Sequence, residues 1–163
     1  MGKGIKITTE VTFEAAHSLP NHLGKCANHH GHSYRLQVTV FNPNGVVNIT
    51  KASPKRPVYI NPEEVCEEGE YKIPCPVKGM VMDFSSLKKV LRELVEDKFD
   101  HKELNFLMDN PTAENLIIYI HSLIAPVLKK DYGVEVAYMK LWETEKNWVE
   151  WDLGEGVDSN VVY

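Results

Sequence analysis

The chain holds 163 residues, 43% of them hydrophobic and 25% charged, with a formal net charge of -5. Those are the proportions of a single soluble domain, read as 1–163, long enough to bury a real core. The acidic balance argues against a nucleic-acid partner, which calls for a basic surface, and no apolar run is long enough to span a bilayer, which argues against a membrane partner. Met1–Lys6 carries no apolar signal core, so a cytoplasmic location is expected. Three cysteines, Cys26, Cys66 and Cys75, are an odd number and make no disulfide framework in such a compartment.

Ile5, Ile7, Val11, Phe13 and Ala15 recur mostly every second residue and lead to His17, which is the period of a strand. Pro20–Cys26 reads as a loop. Residues 30–41 alternate more clearly, with His30, His32, Tyr34, Leu36, Val38 and Val40 on one face and Arg35, Gln37 and Thr39 on the other. Residues 42–80 contain Pro43, Pro54, Pro57, Pro62, Pro74 and Pro76 and little periodicity. They read as a proline-rich insertion with a short strand near Val58–Ile60, too short for a second domain. Cys66 and Cys75 lie among the acidic residues of this insertion without Cys-x-x-Cys spacing, and read as ordinary loop cysteines.

Asp83 or Ser85 caps a helix with the stripe Phe84, Leu87, Leu91, Leu94 and Val95. Residues 100–111 read as a loop closed by Pro111, after which Thr112 caps a second helix with Leu116, Ile117, Ile120, Leu123, Ile124 and Val127 on its stripe and Pro126 near its end. Gly133 marks a turn, and Val134–Glu143 and Trp148–Leu153 read as two further strands joined at Thr144–Asn147. Two strands, two helices and two strands predict an α+β fold: a four-stranded antiparallel sheet with both helices on one face. The open edges of such a sheet favour a homo-oligomer.

His30 and His32 point to one face of their strand, and two polar rings aimed at a core side need partners. If the first two strands pair as a hairpin, His17 falls beside them, and three neutral imidazoles around an open fourth position are the pattern of a catalytic zinc site. The competing reading is three unrelated histidines bonded to backbone. For a His-x-His pair alone the two readings stand about level. His29 falls on the opposite face by parity and is excluded. His22 and His121 read as loop-surface and helix-face residues.

Several segments together resemble the 6-pyruvoyl-tetrahydropterin synthase superfamily. They are Phe13–Pro20, Gly24–Cys26, His30–Tyr34, Met82–Phe84 with Leu87–Lys88, Phe99–His101 with Leu104–Asn105, Asn110–Leu116 and Leu141–Thr144. They occur in order and span nearly the whole chain outside 42–80. The resemblance implies the tunnelling fold, commonly a hexamer with active sites between subunits. It implies zinc on His17, His30 and His32, Cys26 as the active-site thiol, and Asp100 and His101 as its proton-transfer partners. It also implies Glu143 as the anchor of the pterin ring, and leaves Thr112 as helix cap or ligand contact. The Cys-x-x-x-His-x-His spacing is similar to the 6-carboxy-tetrahydropterin synthase branch of the queuosine pathway. That branch converts 7,8-dihydroneopterin triphosphate to 6-carboxy-5,6,7,8-tetrahydropterin with release of acetaldehyde and triphosphate. Two alternatives stay open: a 6-pyruvoyl synthase, which keeps the side chain, and a zinc- or pterin-binding module without catalysis. A branch that replaces the thiol by a carboxylate is disfavoured by Cys26.

Overall fold

Residues 4–45 and 80–154 are described by the computed structural model. The expected short strand near Val58–Ile60, and Cys66 and Cys75, lie outside them. Strand β1, Lys6–His17, buries Val11, Phe13, Ala15 and His17 and exposes Thr12 and Glu14 between them. Strand β2, His30–Phe41, buries Tyr34, Leu36, Val38 and Val40 completely. The two run antiparallel in one unbroken register from Lys6 opposite Phe41 to His17 opposite His30. The alternation seen along each strand is therefore one shared core face.

Helix α1, Phe84–Leu91, starts at Asp83, whose carboxylate accepts the Ser85 and Ser86 N–H groups at 2.7 and 3.1 Å. Asp83 rather than Ser85 is thus the cap. Leu87, Val90 and Leu91 are buried, whereas Phe84, placed on the stripe by its spacing, is exposed in the first turn. The helix continues through a π-helical stretch, Arg92–Glu96, and a last turn, Asp97–Phe99. Helix α2, Ala113–Tyr132, is capped by the Thr112 hydroxyl, which accepts the Asn115 N–H at 3.2 Å. It runs through Pro126 and stops at Gly133, whose φ of 65° is the left-handed conformation that favours glycine. Strands β4, Glu135–Trp142, and β5, Trp148–Asp152, complete the expected pair.

One expectation needs correction. Among the described residues the sheet has five strands, not four: strand β3, Lys102–Glu103, lies between the two helices in the chain and parallel to β1, so the strand order is β3-β1-β2-β4-β5 and the element order is β-β-α-β-α-β-β. It pairs with Ala15 and Ala16 of β1 inside the stretch read as a loop. Two residues cannot display a period, so only the partner defines this strand. Both helices pack over the same face, where Leu91, Val95, Leu116, Ile120 and Ile124 meet the inward side chains of β1, β2 and β4 in one core. No helix of the described residues is long and apolar enough to cross a membrane.

The cap at Thr112 is directly testable. Thr112→Ala should lower unfolding stability by about 1 kcal/mol, and Thr112→Ser should retain most of it. A denaturant midpoint unchanged by Thr112→Ala would show that the hydroxyl does not stabilise this helix.

Candidate metal centre

The hairpin register sets His17 directly across from His30, and the period of two brings His32 to the same face. One ring nitrogen from each of the three lies within 4.8 Å of the others. The tautomers follow from the outer partners. His17 Nδ1 sits 2.7 Å from the Pro111 carbonyl oxygen, and His30 Nδ1 sits 2.7 Å from that of Asn28. A carbonyl only accepts, so both Nδ1 atoms carry hydrogen and donate. In the neutral rings the two Nε2 atoms are then bare lone pairs, yet they face each other at 3.2 Å. That arrangement is repulsive unless a cation lies between them. His32 Nε2 is buried with no hydrogen-bond partner among the described residues. Its pKa is pushed below the ordinary range, first by burial and further by His17 and His30, with Glu143 opposing. A neutral ring is the form that ligates a metal. The donor set, the fixed tautomers and the orphaned nitrogen fit a divalent ion held by His17, His30 and His32.

Glu143 follows the end of β4 and reaches the same centre, its Oε1 3.5 Å from His17 Nε2 and 3.6 Å from His32 Nε2. It also lines a cavity of about 220 Å³ with Leu19, Thr112, Asn147 and Trp148. Thr112 therefore caps α2 and borders the cavity at once. Beneath the histidines lies Tyr34, fully buried, its ring centre 5.7 Å from that of His32 and 6.4 Å from that of His17. Burial and the nearby Glu143 charge raise the Tyr34 pKa well above its ordinary value, so the hydroxyl keeps its proton.

Cys26 sits half-buried as a free thiol in the short turn Lys25–Ala27, and its carbonyl oxygen accepts the Leu19 N–H at 3.0 Å, which closes the loop ahead of β2. Asp100 and His101 are elsewhere, pinned to the outer edge of β1. Asp100 Oδ1 accepts the Glu14 N–H at 2.8 Å and the His101 N–H donates to the Glu14 carbonyl at 2.6 Å. Asp100 Oδ2 also takes His101 Nδ1 at 2.8 Å, which leaves Nε2 as the free nitrogen. The Glu14 N–H and the His101 ring together hold the Asp100 carboxyl below the usual range. His101 has φ of 57°, the one positive value at a non-glycine residue of the described chain. That conformation costs roughly 1–2 kcal/mol, and the bonds to Glu14 hold it. Its side chain is 79% exposed, and among the described residues no hydrogen bond joins it to Cys26 or to the histidine cluster.

Of the remaining histidines, His29 pairs with Glu103 of β3, away from the cluster. His22 is exposed and accepts the Gly24 N–H through Nδ1 at 2.9 Å. His121 stacks on Trp151 with ring centres 4.0 Å apart. Sequence reasoning gave Asn105, part of a resembling segment, no role of its own and missed that its side-chain amide accepts the Ser18 N–H at 2.8 Å and donates to the Ser18 carbonyl at 2.9 Å. It also missed His29–Glu103. Both tie the loop carrying Cys26 to the segment after Asp100–His101, and neither has a local spacing signal.

The fold and the centre together define a sheet-and-two-helix protein with a three-histidine cluster suited to a metal ion beside a small cavity. A profile of the family "6-pyruvoyl tetrahydropterin synthase" matches residues 6–51 and 64–153. The chain belongs to this family, and is an enzyme of the pterin-synthase type. A relative from Archaeoglobus fulgidus, a putative 6-carboxy-5,6,7,8-tetrahydropterin synthase, is 31% identical over 144 residues, covering 88% of this chain and 92% of that one. A dihydroneopterin monophosphate aldolase from Pyrococcus furiosus is 32% identical over 145 residues, covering 89% and 95%. Among solved structures, 6-pyruvoyl tetrahydropterin synthase from Caenorhabditis elegans superposes with a TM-score of 0.61 at 24% identity, covering 94% of this chain and all of that one.

The metal reading has a direct check. Purified protein should hold about one zinc per chain, the content of a three-histidine site. His30→Ala and His32→Ala should each lose most of it by elemental analysis. Full retention in both would remove the site.

Proposed function

We propose that the chain is a zinc-dependent lyase that converts 7,8-dihydroneopterin triphosphate to 6-carboxy-5,6,7,8-tetrahydropterin, releasing acetaldehyde and triphosphate, in 7-deazapurine (queuosine) biosynthesis. The observation that carries this reading is the convergence of three imidazole nitrogens beside a carboxylate that also lines a cavity. The relatives named 6-carboxy-5,6,7,8-tetrahydropterin synthase support it, among them the Haemophilus influenzae protein, 27% identical over 171 residues. Atoms balance when one water is taken up.

When bound, zinc supplies Lewis-acid polarisation and a template for the substrate side chain. The other tasks fall to this chain's own groups. Glu143 accepts hydrogen bonds from the pterin amino group and ring N–H, and Thr112 borders the same cavity. Cys26 moves a proton on the side-chain carbons through its Sγ. His101 exchanges a second proton through Nε2, while Asp100 holds its Nδ1–H. Two bases arriving from different directions suit a sequence of proton shifts, triphosphate elimination and retro-aldol loss of the two-carbon aldehyde.

The exposed Asp100–His101 pair meets substrate most readily across a subunit boundary, which supports a homo-oligomer, a hexamer in the manner of the family. The sheet face that no described helix covers points the same way. It presents Arg35 over the Trp142 ring at 3.9 Å and Lys140 over Trp148 at 4.1 Å. Light scattering at micromolar concentration should show the assembly, and a monomer would contradict it.

A second reading, aldol cleavage of dihydroneopterin monophosphate, is favoured by the Pyrococcus furiosus relative. Product masses separate the two. Incubation with the triphosphate should yield the 6-carboxy product. A 6-pyruvoyl product, or turnover of the monophosphate alone, would overturn the lyase assignment. Cys26→Ala should keep its zinc and lose turnover by a factor on the order of a hundred. Normal turnover, or loss of zinc, in that variant would remove Cys26 from the role of base.

A further inference from the structure

The position of Glu143 does more than border the cavity. Its Oε1 lies 3.5 and 3.6 Å from the Nε2 atoms of His17 and His32. A charge-assisted hydrogen bond to a protonated ring would draw these atoms to about 2.7–2.9 Å. Neither contact is that short. Ligand atoms held about 2.0–2.2 Å from a tetrahedral zinc, by contrast, stand roughly 3.3–3.6 Å from one another. His17 Nε2 and His30 Nε2, at 3.2 Å, already keep that spacing. Glu143 Oε1 keeps nearly the same spacing from the His17 and His32 nitrogens, and the His32 nitrogen is buried without a hydrogen-bond partner among the described residues. Three neutral rings leave the full charge of a divalent ion uncompensated, and a carboxylate at this point would halve it.

We propose that in the substrate-free protein the Glu143 carboxylate is the fourth ligand of the metal held by His17, His30 and His32. The inference rests on reading the histidines as a metal site. It gives Glu143 a task before any pterin arrives, in addition to reading the ring afterwards. The residue is suited to both. It stands just past the end of β4, where its N–H donates to the Asn147 carbonyl at 3.0 Å, and its side chain is 25% exposed, between the buried centre and the open cavity.

The test uses cobalt(II) as a spectroscopic stand-in for zinc, with no pterin present. Wild type, Glu143→Ala, Glu143→Gln and His30→Ala are titrated against a competing chelator, and the visible ligand-field bands are recorded for each. The expected result is weaker cobalt binding in both Glu143 variants, on the order of tenfold, with displaced bands, and loss of nearly all binding in His30→Ala. Weaker binding with unchanged bands would overturn the proposal, since the carboxylate would then act through its charge alone. Unchanged affinity and bands in both Glu143 variants would also overturn it while leaving the histidine site intact. Retention of wild-type affinity by His30→Ala would instead remove the metal site itself, and the proposal with it.

Discussion

Everything at the centre depends on the register between β1 and β2. Side chains on a strand alternate with a period of two, so a slip of one residue would send His17 to the outer face while His30 and His32 stayed inward. The register is held along the whole hairpin by apolar residues that must be buried together. Val11, Phe13 and Ala15 face the same interior as Tyr34, Leu36 and Val38. The apolar end of the hairpin thus positions its imidazole end. The cost of burying polar rings is met locally: the Pro111 and Asn28 carbonyls take the Nδ1 hydrogens and leave the Nε2 atoms aimed inward.

This division explains what could be read in advance. Parity placed His30 and His32 together and set His29 apart, because parity is a local property of one strand. The cap at Thr112 is equally legible, since a single hydroxyl residue answers the unpaired groups of a helix start, whereas the sequence leaves the first cap between Asp83 and Ser85 and marks Gly133 only as a turn. What escaped is non-local. Glu143 reaches the histidines because β4 lies beside β2 with Trp142 opposite Arg35, a pairing that no spacing along the chain announces. Strand β3 exists only through its partner.

The centre also shows how far apart its parts are in the chain. His17, His30, His32, Pro111 and Glu143 come from the hairpin, the approach to α2 and the end of β4. Pro111 has an indirect part, as its carbonyl fixes the His17 ring. Thr112, the next residue, starts the helix and borders the cavity. The N-terminus of α2 therefore serves as scaffold for both ring orientation and pocket wall, and its placement over the sheet is a structural requirement of the site.

The π-helical stretch Arg92–Glu96 bears on evolution and engineering of this chain. A π turn accommodates one residue more than an α turn, and successive residues of an α-helix are about 100° apart around its axis. The extra residue thus sets the angular phase at which Asp97–Phe99 leaves the helix, with Phe99 pointing into the core and Asp100 arriving at the Glu14 N–H. A one-residue deletion here would read in an alignment as a harmless helix shortening. In the fold it would turn the following segment by more than a quarter-turn and carry Asp100 and His101 off the strand edge. The length of this helix is therefore under a constraint that neither its amphipathic pattern nor its caps reveal, and related chains with a regular helix here would need a compensating residue before Asp100.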